Sequence, residues 1–125
     1  MSLELSSLEK TLAVPLSHRA ASKAHPDLLN DVKAIELVNH LDYDFSIFEQ
    51  RFTAEDSLRS AARARQFDDK LRAYISTHPD ATIADLGVGL DTAFYRVDNR
   101  SIESYDLDLL SVIALRKQLL PETDR

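Results

Sequence analysis

The sequence predicts an α/β protein in which a helical N-terminal part precedes strands that alternate with helices. Three observations support this prediction. Apolar residues recur at helical spacing in much of the chain before residue 80. After it, two short strand-like segments alternate with two helical ones. This order predicts two parallel strands joined by a right-handed crossover.

The N-terminal third is predicted to be helical. The opening up to Ala21 is rich in Ser and Leu with weak periodicity, so we expect a loose arm or a helix that needs a partner. Pro26 and Asp27 are predicted to begin the next helix, because proline is tolerated in a first turn. One apolar helical face is then expected from Val32, Ile35, Val38 and Leu41. An aromatic cluster packed under the helical cap is expected from Tyr43, Phe45, Phe48 and Phe52.

A long helix is predicted from about Asp56 to Thr77, before the sequence "HPD". We therefore divide the chain into a helical arm and cap at 1–55 and a helix plus first βαβα part at 56–125. The helix is expected to bury Phe67, Leu71, Tyr74 and Ile75. Its charged residues are expected to face solvent: Arg59, Arg63, Arg65, Asp68, Asp69 and Lys70.

The C-terminal segments supply the alternation. "ATIADLG" predicts a buried strand and "SIESYDLD" a second one. Between them, "DTAFYRV" predicts a short helix opened by Asp91 or Thr92 as N-cap, with Arg96 paired to an acid. "LLSVIALRKQLL" predicts a last helix, ended by Pro121.

Composition excludes several classes of function. A net charge of −6 over 125 residues argues against nucleic-acid or anionic-membrane partners. With no cysteine, disulfide scaffolds and thiolate metal sites are excluded, and the spacing of the four histidines fits no metal-ligand pattern. The opening does not resemble a signal peptide, and no apolar run approaches the roughly 18 residues of a membrane span. We expect a soluble, cytoplasmic protein without a metal.

The only two glycines of the chain, Gly87 and Gly89, directly follow the first predicted strand. Ligands of open α/β sheets bind beyond the carboxyl ends of strands, and glycine there permits positive φ and a close ligand approach. The second strand is predicted to end near Asp108, whose carboxylate can accept hydrogen bonds from the two hydroxyls of a ribose. This pattern predicts a nucleoside-containing cofactor.

Two classes of cofactor fit this pattern. Dinucleotides favour a third glycine beside the pyrophosphate, and that position is Thr92 here. S-adenosylmethionine has no pyrophosphate, and Asp85 could supply negative charge near its ammonium group, or simply brace the loop. The residues therefore favour S-adenosylmethionine over a dinucleotide.

"ADLGVGLDTAFYRV" followed by "YDLDLLSVIALRKQLL" resembles the leucine carboxyl methyltransferase family, which includes polyketide O-methyltransferases. "HPDLLNDVKAIELV" and "AARARQFDDKLRAYI" are also similar to family segments, so the resemblance extends from about Ala20 to Leu120. It implies an S-adenosylmethionine-dependent O-methyltransferase with a carboxyl or hydroxyl acceptor. It also implies that the chain is the N-terminal portion, a cap followed by the first two βα units of a truncated Rossmann-like sheet, inactive by itself.

The resemblance also implies roles for individual residues. Arg65 would clamp the methionine carboxylate, Gly87 and Gly89 would lie against the methionine and adenosine, and Asp108 would hold the ribose hydroxyls. The sequence departs from the family where Leu110 replaces a proline and Asp106 a glutamate. No catalytic residue is identified.

Two other interpretations stay open. The chain could be a non-catalytic helical interaction or oligomerisation module, for which the glycines make only a tight turn, or part of a dinucleotide-binding protein. A parallel pair of strands has open edges, so we also expect self-association or a swapped dimer.

Overall fold

The computed structural model describes residues 6–125, without the side chains of Leu8 and Glu9. The first residues of the predicted arm, 1–5, lie outside this range. Helices come first, followed by two strands alternating with helices, which confirms the predicted α/β class. The elements are α1 (Ser7–Ala21), a 3-10 turn (Ser22–Ala24), α2 (Val32–His40), α3 (Ser46–Glu49), α4 (Ala54–Thr77), β1 (Thr82–Leu86), α5 (Ala93–Val97), β2 (Glu103–Leu107) and α6 (Leu110–Leu119).

The two described strands pair in parallel, from Thr82 opposite Glu103 to Leu86 opposite Leu107. This arrangement is consistent with part of a Rossmann-like sheet. The chain divides into two compact units, one ending at Phe67 and one comprising Asp68–Arg125, and the division falls inside α4. The domain boundary expected between residues 55 and 56 stays a prediction.

In the first unit, Asp31 determines where α2 begins. Its carboxylate accepts a hydrogen bond from the Ala34 N–H at 3.0 Å and another from Arg19 Nε at 3.2 Å. Asp31 is completely buried and Arg19 nearly so, which makes this a buried ion pair as well as an N-cap. The prediction that the helix begins at Pro26 is therefore wrong, and α2 starts at Val32.

The aromatic segment of the first unit packs as expected around Phe48, which is buried. The Phe48 ring centroid lies 6.0 Å from that of Tyr43 and 6.3 Å from that of Phe52. The Phe52 ring is also nearly perpendicular to the His18 ring, with centroids 5.0 Å apart. Burial lowers the pKa of His18, and the nearby Asp56 carboxylate opposes that shift.

The buried stripe of α4 differs from the predicted one. Phe67 and Tyr74 are 57% and 55% exposed, whereas Asp68 is 0% exposed. The stripe therefore contains Asp68, Leu71 and Ile75, spaced i, i+3 and i+7. Asp68 tolerates burial because its carboxylate pairs with the buried guanidinium of Arg96.

One face of the strand pair packs on the core of the second unit. Ile83 of β1 contacts the cluster of Ile75, Val97 and Ile102. The opposite face is exposed, so β1 is buried on one face only and not throughout as predicted. Exposed apolar side chains also occur at the carboxyl ends of the strands and the start of α6: Leu86, Leu107, Leu109 and Leu110. None of the helices in residues 6–125 combines the length and apolarity that crossing a bilayer requires.

Candidate cofactor-binding site

The loop after β1 contains both glycines in left-handed backbone conformations, with φ of +70° at Gly87 and +52° at Gly89. The N–H groups of Gly87 and Val88 both donate to the Leu107 carbonyl of β2, at 2.8 and 3.2 Å. A Cβ placed on Gly87 would meet no atom within 4 Å. Glycine is therefore favoured at this position by its backbone angle, and open space lies next to it.

Asp108 directly follows β2, as predicted, and its carboxylate links the two strand ends. Oδ2 accepts a hydrogen bond from the Gly89 N–H at 2.8 Å, and Oδ1 accepts one from the Leu109 N–H at 2.7 Å. An ionised carboxylate offers about four acceptor positions. The half-buried Asp108 therefore retains the capacity to accept two further hydrogen bonds from a ligand.

Arg116 of α6 holds the same loop, although it was not among the predicted site residues. Its guanidinium is buried and donates from Nε to Asp106 Oδ2 at 2.8 Å. Nη1 donates to the carbonyls of Asp91 and Gly89, at 2.7 and 3.3 Å. A basic residue in the last turn of a helix usually indicates only a favourable interaction with the helix dipole, so the sequence carries no signal for this burial.

A second buried arginine anchors the start of α5. Arg96 donates to both oxygens of Asp68, at 2.7 and 3.0 Å, and to Thr92 Oγ1 at 2.8 Å. This confirms the predicted pairing of Arg96 with an acid and shows that Asp68 does not face solvent. Of the two predicted caps, the side chain of Asp91 bonds the Ala93 N–H, at 2.8 Å, while Thr92 occupies the N-cap position without a side-chain capping bond.

Asp85 and Arg65 are the remaining predicted site residues. Asp85 is half-buried on β1, opposite Asp106 in the strand register. Arg65 belongs to the first unit, where its exposed side chain donates from Nη1 to the carbonyls of Asp27 and Leu28, at 3.1 and 3.2 Å. The cofactor roles of Arg65 and Asp85 stay predictions.

A cavity of about 660 Å³ extends along β2 in the second unit and does not include the glycine loop. Tyr95 and Tyr105 both line this cavity and are exposed. Near this cavity, Arg125 donates to both oxygens of Asp98, at 2.7 and 3.2 Å. That hydrogen bonding holds the pKa of the Asp98 carboxyl below its ordinary value.

Within residues 6–125, no three His, Asp or Glu side chains group as a metal site would require.

Comparison with known proteins decides the family. The sequence profile of leucine carboxyl methyltransferases matches residues 13–125. The chain belongs to the leucine carboxyl methyltransferase family. It is also 36% identical, over 124 residues, to the tetracenomycin polyketide synthesis O-methyltransferase TcmP of Streptomyces glaucescens. That alignment includes 98% of this chain but only 45% of TcmP, so the chain spans less than half the length of this relative. No solved structure matches the chain.

Membership in the leucine carboxyl methyltransferase family confirms the resemblance identified in the sequence. The family is one of S-adenosylmethionine-dependent methyltransferases, which agrees with the cofactor class that the glycine loop and Asp108 favoured. Family membership therefore also argues against a dinucleotide as the ligand of this loop.

Proposed function

We propose that this chain forms the cofactor-binding part of an S-adenosylmethionine-dependent O-methyltransferase that acts on a carboxyl or hydroxyl acceptor. The observation that carries the proposal is the hydrogen bond between the Gly89 N–H and the Asp108 carboxylate. It joins a glycine loop and an acidic strand end at the carboxyl edge of parallel strands, where α/β proteins bind nucleoside ligands. Family membership supports the same cofactor.

The described residues fit such a ligand. Asp108 can accept further hydrogen bonds from the ribose hydroxyls. The open space beside Gly87 allows the ligand to approach the backbone closely. We assign Gly89 to the same loop surface, Asp85 to the ammonium group, and Arg65 to the methionine carboxylate. A guanidinium suits that last role because it can bind a carboxylate with two hydrogen bonds.

When bound, S-adenosylmethionine supplies an electrophilic methyl group on a sulfonium. That methyl group would be transferred to the acceptor oxygen, and S-adenosylhomocysteine would be the other product. The contribution we assign to this chain is to bind and orient the cofactor, which lowers the barrier through proximity. We assign no general base in this chain: a carboxylate acceptor is already deprotonated, and the proton of a hydroxyl acceptor would pass to water.

Calorimetric titration of the chain with S-adenosylhomocysteine, and separately with NADH, tests the cofactor assignment. Saturable heat from S-adenosylhomocysteine alone supports it. Asp108→Asn keeps an oxygen for the Gly89 N–H but loses charge and acceptor capacity, so we expect binding to weaken by about 1–3 kcal/mol. Glu103→Gln, at the opposite end of β2, is the matched control and should bind like the parent. Equal affinity of all three proteins would remove Asp108 from the site.

One observation favours a second function, that of a non-catalytic interaction module. Leu86, Leu107 and Leu110 are exposed to 77%, 47% and 91%, which is unusual for leucine and suits contact with another polypeptide. This function predicts that titration with S-adenosylhomocysteine or with NADH gives no heat of binding. For both functions we retain the expected cytoplasmic setting. We also retain the expected absence of nucleic-acid or membrane partners, which the net charge of −6 supports.

A further inference from the structure

The peptide groups of Gly89 are held on both sides by charged side chains from outside the loop. Its N–H donates to Asp108 at 2.8 Å, and its carbonyl accepts from Arg116 Nη1 at 3.3 Å. The same Nη1 also holds the Asp91 carbonyl at 2.7 Å. Arg116 therefore bridges the end of the glycine loop to α6, while Asp108 bridges its middle to β2.

The loop needs such anchors because its shape is not favoured by local structure. Both glycines adopt positive φ, and glycine loses more conformational entropy on ordering than any other residue. Gly89 is buried, so its carbonyl cannot rely on bulk water for a donor. Arg116 supplies that donor with 5% exposure, and its own charge is neutralised by Asp106 through Nε at 2.8 Å.

We propose that Arg116 is a positioning residue for the cofactor site: it fixes the carbonyls of Gly89 and Asp91 so that the glycine loop and the Asp108 carboxylate keep the geometry that receives the ligand. Asp106 orients the guanidinium for this task. The part of the inference that concerns ligand affinity rests on the proposed function. The part that concerns the loop does not.

Amide hydrogen exchange measured residue by residue by NMR tests the loop part directly. In Arg116→Met, exchange at the Gly89 and Asp91 amides should accelerate about tenfold or more, because a loop without this anchor at its carbonyls opens more often. Opening breaks the bonds that protect the two N–H groups, to the Asp108 carboxylate and to the Val88 carbonyl. The Glu103 amide, which bonds the Ala81 carbonyl at 3.1 Å in the same unit, should change far less. Lys117→Met is the matched control, since Lys117 is the next residue of α6, is exposed and pairs only with Glu122 among the ion pairs described. It should leave loop exchange unchanged.

Arg116→Lys provides the rescue and guards against a methionine variant that does not fold. Lysine keeps a positive charge beside Asp106 but lacks the planar fork that reaches a carboxylate and two carbonyls together. We expect its loop exchange to lie between the parent and Arg116→Met. Titration with S-adenosylhomocysteine should show the same order, with affinity falling about tenfold or more in Arg116→Met and less than twofold in Lys117→Met.

The two readouts separate the two claims. Local acceleration at Gly89 and Asp91 with weakened ligand binding supports the inference. If exchange accelerates equally at Glu103, Arg116 acts on the whole unit and the positioning role is overturned. Unchanged loop exchange in a folded Arg116 variant also overturns it. If the parent chain binds no S-adenosylhomocysteine, the proposed function fails and so does the cofactor part of this inference, whereas the exchange data still decide whether Arg116 fixes the loop.

Discussion

Replacing Asp68 by asparagine should destabilise the protein far more than the same replacement one residue later. Asp68 is 0% exposed and accepts two hydrogen bonds from Arg96, whose side chain is only 7% exposed. Asparagine keeps the shape but leaves the Arg96 charge buried without its partner. Breaking a buried ion pair in this way costs about 3–5 kcal/mol. Asp91 Oδ1 lies 3.7 Å from Arg96 Nη2 and offers some compensation, which places the expected cost near the lower limit, about 3 kcal/mol.

Asp69→Asn is the matched control for this substitution. Asp69 is in the same helix, its side chain is 54% exposed, and its partner Arg72 lies 3.4 Å away with 46% exposure. Exposed pairs of this kind contribute about 0–1 kcal/mol. The change in helix propensity is the same in both variants, so it cancels in the comparison.

Urea unfolding followed by far-ultraviolet circular dichroism measures the difference. We expect the midpoint of Asp68→Asn to fall well below that of Asp69→Asn, with similar slopes, because the surface exposed on unfolding is unchanged. The reasoning would be supported equally if Asp68→Asn showed no folded baseline while Asp69→Asn unfolded like the parent protein. If the free energies of unfolding of the two variants agree within about 1 kcal/mol, the buried pair does not stabilise this unit and the argument from burial is refuted.

Three further predictions concern other parts of the chain. Burial lowers the pKa of His18 below its ordinary 6.5, so protons bind the unfolded state more tightly and stability should fall as pH drops below that value. Urea unfolding at several pH values should show a smaller loss of stability in His18→Gln. An equally small loss in the exposed His25→Gln would contradict this prediction. Gly87→Ala should cost about 1–2 kcal/mol from its positive φ alone, since its Cβ has open space, and Gly87→Asn should cost less in the same unfolding assay. We propose that the exposed leucines drive self-association, so sedimentation velocity should show concentration-dependent species that Leu110→Ser reduces, whereas a monomer at every concentration would refute it.

The order of elements could be predicted because it depends on local signals. β1 contains β-branched and apolar residues and is followed directly by Gly87, and β2 ends just before Asp108 as expected. Pro121 follows shortly after α6 ends. Gly87 was also recognisable, because a left-handed backbone position is one for which sequence rules name a preferred residue. Helices, strands and the glycine loop are thus encoded within a few neighbouring residues.

The start of α2 shows where local signals fail. Pro26 is acceptable in a first helical turn, and nothing nearby in the sequence contradicts it. The helix starts later because Asp31 has a buried partner, Arg19, twelve positions earlier on α1. An N-cap that is also half of an ion pair depends on a contact between two helices, and neither periodicity nor capping preference describes such a contact.

The candidate site was only partly predictable for the same reason, and its missing members are its buried charges. Arg116 and Asp68 occur in charged surroundings that usually face solvent, and their partners are 10 and 28 positions away along the chain. Sequence rules assign charge to the surface because an unpaired buried charge is costly. A buried backbone carbonyl such as that of Gly89 needs a hydrogen-bond donor, and arginine provides several in one rigid fork. The residues that break the surface rule are therefore those that hold the loop and the start of α5, and such exceptions are expected where a fold builds a functional site.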